Sequence, residues 1–99
     1  NRPAGVSVLI FNEIIVEINN TVDAVNVYQE NIKALQQIVA LQTKKLLFEE
    51  KRFSNGRSNT DTLVRFQQDL LAAQRNLVQN LFAYKAAQID LHKAANQLL

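Results

Sequence analysis

Between Val6 and Asn55, and again from Arg57 to Leu99, the chain contains neither glycine nor proline. Stretches of that length without a breaker do not divide into short strands joined by turns; helix is the element that uses them. The interruption is a dense run of turn chemistry, Arg52-Phe53-Ser54-Asn55-Gly56-Arg57-Ser58-Asn59-Thr60-Asp61. The expected fold is therefore all-α, a long antiparallel helical hairpin of coiled-coil character that forms a helical bundle by self-association. Residues 1–99 make one hairpin, with helix one over about 6–53, a tip at about 54–59 and helix two over about 60–96. A connection this short forces its two helices to lie antiparallel.

The flanks share one apolar period. Phe11, Ile14, Ile18, Val25, Tyr28, Ile32, Leu35, Val39, Leu46 and Phe53 follow each other at intervals of three and four, interrupted by Thr21, Gln42 and Glu49. After the turn the same spacing returns in Leu63, Phe66, Leu70, Ala73, Leu77, Tyr84, Ala87, Leu91, Ala94 and Leu98, with Asn80 in the middle. Sustained over several heptads, this is the pattern of a coiled-coil seam. Asn80 reads in two ways, as a polar residue that fixes register or as one at the edge of a drifting stripe. A second stripe accompanies each seam: Ala24, Val27, Ala34, Ile38, Leu41 and Phe48 in the first helix, and Val64, Leu71, Val78 and Phe82 in the second. Together they make an apolar face wider than one partner helix covers. The isolated chain is therefore expected to form a dimer or higher assembly.

The ends carry their own signals. Pro3 suits a first helical turn, where a missing N–H does no harm. Val6-Ser7-Val8-Leu9-Ile10-Phe11 is β-branched enough for a strand, but it runs unbroken into the helical pattern, which favours helix. Gly56 is the residue expected to take the left-handed conformation that ends helix one, with Asn55 a weaker candidate. Ser58 followed by Asp61 fits a capping box for helix two. Asn96 is the candidate for a left-handed residue at its far end. A chain that begins at Asn1 rather than Met is expected to be an excised or processed piece.

Composition excludes more than it specifies. A net charge of +2 with cations and acids interspersed gives no basic stripe, so nucleic acid is not an expected partner. Without cysteine there is no disulfide and no thiolate metal site. No apolar run approaches a membrane span without polar interruption. His92, the single histidine, has no nucleophile or acid at a useful spacing and reads as a surface residue. Glu49 and Glu50 among Lys44, Lys45 and Lys51 read as intrahelical ion pairs rather than a metal or phosphate site. No phosphate loop, zinc spacing or nucleophile motif is present. The expectation is a protein that is not an enzyme and that uses no cofactor or metal.

The tip carries a resemblance. Glu50-Lys51-Arg52-Phe53-Ser54-Asn55-Gly56 resembles the E-x-R-F-x-x-G that precedes the hairpin turn in outer membrane efflux proteins of the TolC type. Gln67-Gln68-Asp69-Leu70-Leu71-Ala72-Ala73-Gln74 is similar to that family's Q-x-x-L-L-x-A-Q, at the corresponding distance from the glycine. Tyr84 and Leu91 fit its later Y and L positions, and Asn96-Gln97-Leu98-Leu99 resembles its L-G-x-L-L ending with Asn in the glycine's place. Upstream, Val16-Glu17-Ile18 resembles the E-V of the preceding helix. The chain departs from the family where many members carry Asp-Val-Leu; Thr62-Leu63-Val64 stands there, and the acid is Asp61.

The resemblance implies the second, C-terminal periplasmic hairpin of a homotrimeric channel, whose hairpins form an α-barrel beneath an outer-membrane β-barrel. It places the parent in the outer membrane of a Gram-negative bacterium and this segment in the periplasm, clear of the membrane. The partners it implies are a periplasmic adaptor protein and, through it, an inner-membrane pump. On that reading Arg52, Phe53, Ser54, Asn55, Gly56, Arg57, Ser58 and Asn59 form the partner-binding tip. The alternative is an interaction module of another kind, such as the α-hairpin of a periplasmic adaptor.

Overall fold

A computed structural model describes residues 4–99 of the chain; Pro3 lies outside the described residues. Two helices follow in order, α1 (Ala4–Ser54) and α2 (Thr60–Asn96), with no strand among the described residues. The fold is an all-α helical hairpin. The segment from Val6 to Phe11 belongs to α1, so its β-branched residues are accommodated in helix.

Most of the covered residues are those of the heptad seam; Ile10, Ile15, Ala24, Thr62, Ala83 and Gln88 beside it are half-buried as well. In α1, Ile14, Ile18, Thr21, Val25, Tyr28, Ile32, Leu35, Val39, Gln42 and Leu46 are half-buried and Glu49 is buried. In α2 the matching set is Leu63, Phe66, Leu70, Leu77, Asn80, Tyr84 and Leu91, half-buried, with Ala73, Ala87 and Ala94 buried. Phe11, Phe53 and Leu98, at the ends of the two seams, are exposed. Apart from Glu49, the buried residues among those described are all alanines, with Ala94 at 0% exposure.

The polar residues on the seam are handled locally. Thr21 donates its hydroxyl to the carbonyl of Glu17 at 2.7 Å, which satisfies the oxygen within its own helix. Asn80 does the same through its amide, to the carbonyl of Asn76 at 2.9 Å. It sits on the seam without drifting off it, but its amide bonds back along α2 and does not reach across to α1.

Contacts divide the chain into two compact units, one of Asn1–Gln29 with Phe82–Leu99 and one of Glu30–Leu81. In the first, the hydroxyl of Tyr84 accepts hydrogen bonds from the side-chain amides of Gln29 at 2.9 Å and Gln88 at 3.0 Å, tying α2 to α1. The second contains the turn. There Lys45 of α1 lies over the ring of Phe66 of α2, 5.3 Å from its centroid.

Three expectations about ends and charges need correction. The far end of α2 has no left-handed asparagine: no residue other than glycine has positive φ among the described residues. Gln97, Leu98 and Leu99 instead donate to the carbonyls three residues back, so the chain tightens out of the helix. The charged run near the end of α1 does not form a ladder of intrahelical pairs. Among the described residues the ion pairs are Lys33–Glu30 and Arg52–Glu49. Lys45 sits four residues before Glu49, the less favourable order for such a pair, and turns to Phe66 instead. Third, one helix does meet the length and composition of a membrane span, since α1 contains an 18-residue window of mean hydropathy 1.2. The same helix supplies one side of the hairpin seam, and a single helix of this kind does not establish a membrane segment.

Candidate partner-docking site at the hairpin turn

Helix α1 ends in a fully formed Schellman turn. Gly56 has φ of 72°, its N–H donates to the carbonyl of Phe53 at 3.0 Å, and the N–H of Arg57 reaches back to the carbonyl of Arg52 at 2.8 Å. These are the two bonds that satisfy the last free carbonyls of a helix, and the left-handed residue between them is the one glycine accommodates without strain. Asn55 stays right-handed, its N–H shared between the carbonyls of Lys51 and Arg52. Lys51 and Arg52 fall in the last helical turn, where positive charge opposes the negative end of the helix dipole.

Such a turn usually gains an apolar contact between the residues flanking it. Here both of those positions are arginine. The substitute is polar: the Arg52 guanidinium donates to the backbone carbonyl of Arg57 at 3.0 Å and lies 3.4 Å from the carboxylate of Glu49. Glu49 is only 2% exposed, and its second oxygen accepts the hydroxyl of Ser58 at 2.5 Å. One carboxylate thus holds the last turn of α1 and the approach to α2 together.

That use of Ser58 moves the cap of α2 by one residue, while the helix itself starts at Thr60 as expected. Asn59 is the N-cap of α2: its side-chain oxygen accepts the N–H of Thr62 at 2.8 Å, and its carbonyl takes the first helical bond, from Leu63 at 3.1 Å. The expected capping box of Ser58 and Asp61 is therefore not formed. Asp61 still sits in the first turn, where a negative charge faces the positive end of the dipole. An asparagine cap contributes about 1 kcal/mol over alanine.

All eight residues expected at the tip lie on this one segment. Arg52, Phe53 and Ser54 close α1, and Asn55, Gly56, Arg57, Ser58 and Asn59 form the connection. Ser58 is half-buried and the other seven are exposed. Ser54 caps its own helix by donating to the carbonyl of Glu50 at 3.0 Å. A Cβ built on Gly56 meets nothing within 4 Å, so the backbone there faces open space. Beside the turn, Phe48, Lys51, Arg52, Asn55 and Arg57 line a cleft of about 280 Å³. Sequence reading missed Glu49 and the pair Phe48 and Lys51. The available signal for Glu49 was a carboxylate in place of an apolar residue on an otherwise regular seam.

The remaining chemistry-bearing residues stay apart. His92 is exposed. No group of three metal-ligating side chains occurs among the described residues. A second cleft, of about 630 Å³, lies in the unit of Asn1–Gln29 with Phe82–Leu99. Its polar edge is Glu17, Asn20, Thr21, Tyr28 and Asp90, over a floor of alanines. It brings together no nucleophile and base. Comparison with protein-family models, with curated proteins and with solved structures returns no match.

Proposed function

We propose that this chain is the C-terminal periplasmic hairpin of a trimeric outer-membrane efflux channel, and that its turn docks on a periplasmic adaptor protein linked to an inner-membrane pump. The observation that carries the reading is the tip itself. The residues Glu50 to Gly56, which resemble the efflux-protein motif, end in a Schellman turn whose glycine presents bare backbone outward. A turn between two long helices has little core to support, so its residues are free to serve contact.

A second observation supports assembly with further hairpins. In the unit Glu30–Leu81, Ile38 and Leu41 of the α1 stripe and Val64, Leu71 and Val78 of the α2 stripe are all exposed. In heptad terms the first stripe flanks one side of the seam and the second the other, because antiparallel helices bring like flanks together. A two-fold dimer covers one kind of stripe and leaves the other open. Contact of one copy's α1 stripe with the next copy's α2 stripe is heterologous and repeats around a ring. Sedimentation equilibrium of the 99-residue chain should show association; a folded monomer across the whole micromolar range would overturn this part.

The docking reading is tested in the parent protein in cells, with Asn55→Cys carrying a short thiol-reactive crosslinker. Asn55 is exposed and its side chain holds no bond in the turn. The expected product joins the parent to an adaptor of the cell envelope. Trimers that assemble but yield no such product would refute the docking role.

A further inference from the structure

Resting on the docking reading, we infer that the cleft beside the turn selects a carboxylate-bearing peptide segment, one that presents an apolar side chain between acidic ones. Five residues line it, Phe48, Lys51, Arg52, Asn55 and Arg57, and three of them are cations. The neighbouring acids do not neutralise it. Glu49 is buried and committed to Ser58 and Arg52, while Glu50 and Asp61 lie outside the lining. Among the described residues neither Lys51 nor Arg57 pairs with a carboxylate. The free positive charge therefore belongs to Lys51 and Arg57, with Arg52 already half engaged.

Phe48 decides what accompanies the charge. The residue is 64% exposed and lines the same cleft. Free phosphate or an isolated carboxylate would leave it in water. An apolar side chain laid on the ring removes that surface from solvent while flanking carboxylates meet Lys51 and Arg57. A volume of about 280 Å³ admits side chains of this kind and not a folded surface, so the occupant is a protruding loop or hairpin end. The Arg52 guanidinium is held against the Arg57 carbonyl, which fixes one wall before anything binds.

The test uses the full chain and a short fluorescent peptide of alternating leucine and glutamate, compared with its leucine–glutamine counterpart by anisotropy. The glutamate peptide should bind more tightly. The double variant Lys51→Glu/Arg57→Glu should weaken it about tenfold while leaving the glutamine peptide unchanged. Both changes are at exposed positions outside the seam, and an unaltered helical circular dichroism signal confirms the fold. Equal affinity for the two peptides, or no effect of the charge reversal, would overturn the inference. So would charge-sensitive binding to phosphatidylglycerol vesicles in place of the peptide. The two readings fail separately. Peptide discrimination without crosslinking at Asn55 overturns docking on the adaptor and leaves the cleft's selectivity standing. Crosslinking without discrimination overturns the selectivity alone.

Discussion

Glu49→Ala should destabilise the hairpin by about 2 kcal/mol, and the turn should show the loss first. The carboxylate is buried, and its removal strips Ser58 of its acceptor and Arg52 of its charge partner. Arg52 is half exposed and recovers water, so its share of the cost is small. Ser58 recovers less because it is half-buried against the seam. Glu49→Gln keeps an acceptor for the hydroxyl and should cost less than the alanine change. Glu49→Leu is the informative variant. Leucine restores the apolar seam while deleting both polar bonds, so total stability should stay near the parent value. Amide exchange at Gly56 and Arg57 should still accelerate, because the Schellman bonds lose the anchor behind them. Denaturant unfolding and residue-resolved exchange measure the two quantities. Unchanged exchange in the leucine variant would show that Glu49 fills space and does not pin the turn.

On the proposed docking role, Gly56→Gln in the parent protein should abolish adaptor crosslinking and drug efflux while trimers still assemble. Two features of Gly56 make the comparison with Gly56→Ala decisive. Its φ of 72° penalises any residue with a Cβ, by about 1 kcal/mol. A Cβ there meets nothing within 4 Å, so alanine fits without a clash and both variants carry the same backbone strain. Both variants should therefore fold, and to similar stability. Any difference between them in efflux comes from what approaches the turn from outside. Alanine, with one methyl, should retain part of the activity. Efflux and crosslinking that survive glutamine would reduce Gly56 to a helix terminator and remove the tip from the docking surface.

Much of this architecture was legible in the sequence, and the misses share a cause. The seam is readable because apolar side chains at heptad spacing have one economical arrangement, and the covered residues follow it. Gly56 is readable because only a residue without a Cβ closes the turn at low cost. Glu49 was not, because a carboxylate on a seam looks the same in sequence whether it interrupts the core or anchors a loop nine residues on. The choice between Ser58 and Asn59 as cap failed for the same reason. Both residue types cap helices well, and the matter is settled by Glu49, which draws the Ser58 hydroxyl back towards α1. The alternating charges near residue 50 misled because spacing names possible partners but not competing ones, here the Phe66 ring and the turn carbonyl.

The strict interval of seven on both helices also fixes how such a gene can change. Losing or gaining one codon in a single helix turns everything beyond it by about 100° and carries the apolar residues out of contact. A block of seven codons displaces the pattern by only about 20°, and a matching block in the other helix keeps each side chain opposite an equivalent one. Each matched pair of blocks moves the turn by about 10 Å along the helix axis. The chain is in this sense a ruler graduated in heptads, on which the distance to the turn is adjustable while the turn itself, from Glu49 to Asn59, travels unaltered.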